Sequence, residues 1–324
     1  VISLDTTRPP VFDLTDSWVW DFWFADDGEQ YHLFFLYASR ALHEPERRHH
    51  RASIGHAVSQ NLTSWTRVSD AVVRSDAPAF DDLATWTGSV TRRPDGRWLM
   101  FYTGVSLSQD RQPIQRIGCA ISNDLETWNK LPGPLFEPDP SWYVGADEDD
   151  WHDPTLRDPW VVRDPDGVGW HMLFTARSPH GPKFGRGVIG HATSPDLTAW
   201  TLRPAITEPS ETGFGQLEVP QTEVVDGRSV LLFSCNPFHA SAAHAGARAG
   251  SWTAPAESTV GGFALDRANP ITPQGLYSAR LVRRREGDQW LMFAFRDETA
   301  EAPFRGGIMG PFAVRWDGDV LVAE

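Results

Sequence analysis

Apolar residues in this chain come in short, dense runs, and an acid followed by glycine stands in front of five of them. The runs are "DDGEQYHLFFLYA" at Asp27-Gly28, "PDGRWLMFYTG" at Asp95-Gly96, "PDGVGWHMLFTA" at Asp166-Gly167, "VDGRSVLLFSCN" at Asp226-Gly227 and "REGDQWLMFAFR" at Glu286-Gly287. They recur at spacings of 68, 71, 60 and 60 residues. Asp-Gly between two β-rich runs signals a hairpin, because glycine accepts positive φ at little cost. Each copy therefore reads as a strand, a tight turn and a second strand. A third strand follows in at least three copies. These are "SIGHAVSQNLTSW" ending at Trp65, "RIGCAISNDLETW" ending at Trp128 and "VIGHATSPDLTAW" ending at Trp200. Their Asn/Asp-Leu-x-x-Trp endings predict a turn that pins a tryptophan between layers. No long stretch has helical periodicity. Five repeats of three or four antiparallel strands predict an all-β five-bladed β-propeller with a central funnel, spanning 1–324 as one domain. A pair of β-sandwiches would leave the five-fold period unexplained.

Composition narrows the ligand. The chain has 324 residues, 40% of them hydrophobic, with 15 Trp, 18 Phe and a formal net charge of −14. That charge argues against nucleic acid and against an anionic membrane surface, and favours a neutral substrate. Cys119 and Cys235 form no CxxC spacing, and no apolar run approaches the roughly 20 residues of a membrane helix. No cofactor or metal site is expected. The acidic run Gly145–Pro154 reads as a solvated loop rather than a calcium site. His56, His191 and Cys119 share one place in the "IGHA"-type repeats, which points to packing. No secretory leader is read at the start, so cytoplasm is the expectation, with secretion the alternative if residues before Val1 were removed.

In a propeller the first strand of each blade lines the channel. Counting back from the glycine turns, blade one places Asp21 there, blade two Ser89, blade three Asp158, blade four Glu218 and blade five Ser278. Three of five equivalent places hold a carboxylate. Three acids converging on one axis should raise at least one pKa through burial and mutual repulsion, as a general acid near neutral pH requires. Asp21 lies within "SWVWDFWF", hemmed in by Trp18, Trp20, Phe22 and Trp23. Aromatic faces pack against sugar C–H faces while acids bind hydroxyls. A neutral glycoside is the expected ligand.

The ordered set of short motifs resembles the retaining β-fructosidases and fructosyltransferases of glycoside hydrolase families 32 and 68, which share a five-bladed catalytic propeller. "WTGS" (Trp86–Ser89) resembles the family 32 Trp/Phe-Ser-Gly-Ser element, and "FYTG" (Phe101–Gly104) the strand after it. "RDP" (Arg157–Pro159) is shared by both families, and "EVP" (Glu218–Pro220) is similar to their Glu-Cys-Pro and Glu-Arg-Pro. "VWDFW" (Val19–Trp23) is closer to the levansucrase type. The resemblance implies Asp21 as nucleophile, Glu218 as general acid and base, and Asp158 as the transition-state stabiliser that holds sugar hydroxyls. It implies Arg157 beside them, and Trp86 and Ser89 around the furanose. Trp20, Trp23, Gln221 and Tyr277 are the further candidates for substrate binding. The expected partner is a neutral fructose-containing oligosaccharide such as sucrose or a short fructan, hydrolysed or transferred through a covalent fructosyl-enzyme. Departures are Leu36 where family 32 often has Gln, Val219 beside the acid, and no C-terminal β-sandwich. Two other readings stay open: an inverting family 43 arabinofuranosidase, and a sugar-binding propeller without turnover.

Overall fold

The computed structural model describes residues 4–144, 155–244, 250–299 and 302–324; the acidic run at 145–154 lies outside them. Five four-stranded antiparallel sheets follow one another along the chain, each in sequence order. Blade one is Ser17–Asp26, Tyr31–Ser39, Ser53–Ser59 and Thr66–Arg67. Blade two is Ala84–Arg92, Trp98–Leu107, Pro113–Ser122 and Asn129–Lys130. Blade three is Leu156–Arg163, Trp170–Arg177, Gly187–Ser194 and Thr201–Arg203. Blade four is Glu218–Val225, Arg228–Ser234, Ser251–Pro255 and Asn269–Pro270. Blade five is Leu276–Arg283, Trp290–Arg296, Ile308–Asp317 and Val320–Ala323. First strands touch their neighbours in a ring, and that of blade five meets that of blade one. The segment before blade one completes the closure, with Val11 N–H donating to Ile308 O at 2.8 Å.

The apolar runs are continuous rather than alternating because second strands are covered on both faces by neighbouring blades. Leu33–Leu36, Leu99–Tyr102, Met172–Phe174, Val230–Phe233 and Leu291–Phe295 are all buried. The glycines of the "IG" repeats make room for those strands' rings. A Cβ on Gly55 would come within 2.5 Å of the Phe35 ring, and one on Gly190 within 2.1 Å of Phe174. The Asn/Asp-Leu-x-x-Trp turns recur in detail. Leu62, Leu125 and Leu197 are buried at φ of 65°, 63° and 68°. The side chains of Asn61, Asp124 and Asp196 accept from the backbone N–H groups that follow. Trp128 then packs edge-on against Phe34 of blade one, and Trp200 against Phe101 of blade two, so each pins one blade to its predecessor.

His56 and His191 pack as expected. Each stacks on and bonds to a second-strand histidine, His32 at 2.9 Å and His171 at 2.8 Å. Burial pushes His56 down to about 3 and His191 to about 4, so both rings are neutral near pH 7. The tight Asp-Gly turns require correction. All five glycines adopt positive φ, but only blade four closes in two residues, with Val225 paired to Arg228. Blades three and five close in six, between Arg163 and Trp170 and between Arg283 and Trp290.

Candidate active site

Each inner strand carries a β-bulge near its start. Two residues oppose one at Trp20–Asp21, Asp158–Pro159, Val219–Pro220 and Ser278–Ala279, and in blade two Thr87 is the extra residue. A bulge re-aims side chains that regular pleating would send elsewhere. Asp158, Val219 and Ser278 sit at φ of 58°, 52° and 47°, a left-handed conformation unfavourable for L residues and worst for β-branched valine. Hydroxyls of the preceding blade hold these backbones in place. Thr103 Oγ1 accepts from Asp158 N–H at 2.9 Å, Thr175 Oγ1 from Val219 N–H at 3.2 Å and Ser251 Oγ from Ala279 N–H at 3.0 Å. In blade four Val219, not Glu218, is thus the counterpart of Asp158 and Ser278. The count back from Asp226 slips by one because Asp226 opens blade four's two-residue turn, whereas two turn residues precede Asp166 and Glu286, and this outweighs the one extra paired row of blade four. Glu218 occupies the place of Arg157 and Tyr277.

The bulges open into one funnel of about 420 Å³, whose lining includes Asp21, Asp158 and Glu218. Asp21 lies sunk at its floor. The Ser278 hydroxyl donates to Oδ1 at 2.8 Å, and the Thr87 hydroxyl makes a very short hydrogen bond to Oδ2. Burial raises the Asp21 pKa; the two hydroxyls oppose that rise and the charge of Glu218 adds to it. Asp158 is buried, and its Oδ2 accepts from Thr175 Oγ1 at 2.8 Å and Val219 N–H at 3.1 Å. Burial pushes it up to about 6, Arg157 pulls it down, and Asp21 and Glu218 push it up again. Arg157 Nη2 donates to Glu218 Oε1 at 2.5 Å, Nη1 to Gln115 Oε1 at 3.1 Å, and Nε lies 3.5 Å from Asp158 Oδ2. The Tyr277 hydroxyl donates to Glu218 Oε2. Its own pKa is driven far upward, first by burial and then by Glu218, so it stays a donor. Beneath the floor Arg280 donates to Phe22 O at 3.2 Å and Pro220 O at 3.0 Å, closing the channel with a buried cation below the acids.

Of the ten residues predicted for the site, seven line this funnel: Trp20, Asp21, Trp86, Arg157, Asp158, Glu218 and Tyr277. Three do not. Trp23 is wholly buried, stacks on Phe34 at 6.2 Å between ring centroids and borders a separate cavity nearer the hairpin turns. Ser89 is buried beyond the bulge; Thr87 takes the place assigned to it. Gln221 ties blade four to blade five, donating to Leu281 O at 2.8 Å and accepting from Leu281 N–H at 2.9 Å. Each lies two residues farther along its strand than a funnel-lining residue (Asp21, Thr87 and Val219), which sets it deeper, toward the turns and away from the mouth.

The description "glycosyl hydrolases family 32 N-terminal domain" matches residues 23–284, most of the chain. The chain belongs to glycosyl hydrolase family 32. It is 31% identical over 192 residues to an insoluble-isoenzyme β-fructofuranosidase of Arabidopsis thaliana, covering 59% of this chain and 32% of that one. It is 35% identical over 122 residues to fructan 1-exohydrolase w2 of Triticum aestivum, covering 36% of this chain and 18% of that one. The matched stretches thus span about a third or less of these relatives' length. An inulosucrase from Halalkalicoccus jeotgali, solved with kestose, shares the fold with a TM-score of 0.79 at 23% identity, covering 100% of this chain and 90% of that one.

Sequence reasoning missed part of this family 32 site. Thr87 lies two residues from the predicted Ser89, and only the bulge shows which of them turns inward. Ser278 was legible as an inner-strand position but not as a partner of Asp21 across 257 residues. The crossover His43–Arg51 brings Glu46, Arg48, His49 and His50 onto the funnel wall. At the end of the second strand of blade five Asp297 lines the funnel, while Arg296 turns to Gly306 O at 2.8 Å and Asp13 at 3.4 Å.

The hydroxyls on Asp21 give a pH prediction. Both hydrogen bonds favour the anion, and the nucleophile's role that the resemblance implies for Asp21 requires that anion, so on that role activity is lost as pH falls through its raised pKa. Ser278→Ala removes one bond, raises that pKa further and moves the acid limb of kcat/KM to higher pH by about half a unit or more. A pH–rate profile checks this, and an unmoved limb would contradict the assignment of Asp21.

Proposed function

We infer that the chain is a retaining β-fructofuranosidase or fructosyltransferase acting on sucrose or short fructans. The observation that carries this reading is the gathering of Asp21, Asp158 and Glu218, from three separate blades, around one funnel whose lining also holds Trp20, Trp86, Tyr277 and Phe295. An oxygen of Asp21 attacks the anomeric carbon of the fructosyl unit while Glu218 protonates the glycosidic oxygen. The C–O bond breaks and the leaving sugar departs. Glu218, now anionic, takes a proton from water or an incoming sugar hydroxyl, whose oxygen attacks the same carbon and releases Asp21. Asp158 accepts from Thr175 and Val219 through Oδ2 and offers Oδ1 to ring hydroxyls, and its negative charge stabilises the oxocarbenium-like transition state. Trp86, part-exposed on the funnel wall, offers apolar surface to the sugar's C–H face, while Trp20 lines the same funnel almost wholly buried.

Two displacements at one carbon retain configuration. Incubation with sucrose in aqueous methanol should yield methyl β-D-fructofuranoside, identified by NMR before any equilibration. The α-anomer as first product would mean a single displacement and would end this reading in favour of an inverting furanosidase. Absence of turnover on sucrose, kestose, inulin and levan would leave only sugar binding.

A further inference from the structure

The funnel rim carries chemistry that the three acids do not use. Pro45–Arg51 forms a short 3-10 segment in the crossover of blade one and stands over the nucleophile's side of the funnel. Trp86 Nε1 donates to His49 O at 2.7 Å, which anchors it to blade two. The His49 ring then lies edge-on to Trp20 at 6.3 Å and near Trp86 at 6.1 Å, its side chain 38% exposed. Glu46 Oε2 stands 3.7 Å from His49 Nδ1, while its Oε1 accepts from Arg48 Nη1 at 2.7 Å. Across the mouth Asp297 lines the same wall. Burial pushes its carboxyl up to about 6, Arg48 pulls it down, and Glu298 and Asp21 push it up, so it is mainly anionic above pH 7.

Among the described residues the lining carries Glu46, Asp297 and Glu298 above the three floor acids, against two guanidiniums, Arg48 and Arg157, and the imidazoles of His49, His50 and His239. Both guanidiniums are already engaged. Arg157 holds Glu218 and Gln115. Arg48 bonds to Glu46 and Pro45 O, lies 3.8 Å over the Phe304 ring, and leaves its side chain only 8% exposed. A phosphoryl group carries close to two negative charges near neutrality and needs uncommitted donors. Sugar hydroxyls, which donate to carboxylates and imidazoles, suit this wall.

We propose that Glu46, His49 and Asp297 form the subsite for the leaving or accepting sugar, and that it takes neutral hydroxyl-rich units and rejects phosphorylated ones. This rests on the fructosidase reading above. The test compares kcat/KM at pH 7.5 for sucrose, sucrose phosphorylated on its glucosyl unit, and p-nitrophenyl β-D-fructofuranoside. Wild type should prefer sucrose to its phosphate at least thirtyfold, and Glu46→Gln with Asp297→Asn should narrow that preference at least threefold. His49→Ala should lose at least tenfold more on sucrose than on the aryl fructoside, with His49→Gln recovering part of the loss. A smaller wild-type preference, or equal losses on the sugar and aryl substrates, overturns the proposal while leaving a fructosidase. No turnover of any of the three overturns the fructosidase reading, and the subsite with it.

Discussion

Asp21→Asn lowers kcat on sucrose by at least about 10⁴-fold, equivalent to roughly 5 kcal/mol of transition-state stabilisation. Asparagine has the shape of the carboxylate, and its oxygen still accepts one of the hydroxyl bonds now made by Thr87 and Ser278. What it lacks is the charge needed to form the covalent bond. Sucrose binding, measured by calorimetry on the inactive variant, should persist within about tenfold of wild-type KM, because Trp20, Trp86 and Asp158 are untouched. Thermal unfolding provides a second reading. The folded pKa of Asp21 is raised, chiefly by burial. A raised carboxylate pKa means the anion destabilises the fold above the ordinary carboxylate range, and the neutral amide removes that penalty. The variant's Tm at neutral pH should therefore be no lower than wild type's. Activity within tenfold of wild type would remove Asp21 from the reaction. A lost Tm would show that the residue serves the fold.

Glu218→Gln separates proton donation from bond formation. On sucrose, whose leaving alkoxide needs a proton, kcat should fall by about 10³-fold, within the range general acids contribute. On p-nitrophenyl β-D-fructofuranoside the loss in the first step should be far smaller, since that leaving group departs unprotonated. The glutamine keeps an acceptor for the Tyr277 hydroxyl and loses only the ion pair with Arg157. Equal losses on both substrates would move the acid's role to another residue.

Legibility followed the range of the interactions. The repeats could be read because a strand, its turn and its neighbour lie within about a dozen residues, and burial on both faces of each second strand writes a continuous apolar run. The three acids could be read because they stand a short way, six or eight residues, before the turns that mark every blade. That ruler had one error: a different turn length in blade four shifts Glu218 one place from Asp158, and Val219 takes the strained position. Trp23, Ser89 and Gln221 fall outside the funnel for a different reason: each stands two residues beyond a lining residue, a step of about 7 Å along the strand that takes it below the floor.

The chain's order of residues alone therefore determined the five-fold architecture, the apolar second strands, and the presence of acids at the channel. These depend on local periodicity and on turn chemistry, which need no distant partner. Only the tertiary structure decided which side chains meet. Asp21 is held by a threonine from blade two and a serine from blade five, and His49 is fixed above it by Trp86 of blade two. Those pairings arise when the ring closes and brings Ser278 within hydrogen-bond range of Asp21, 257 positions away, a separation that local patterning along a chain does not encode.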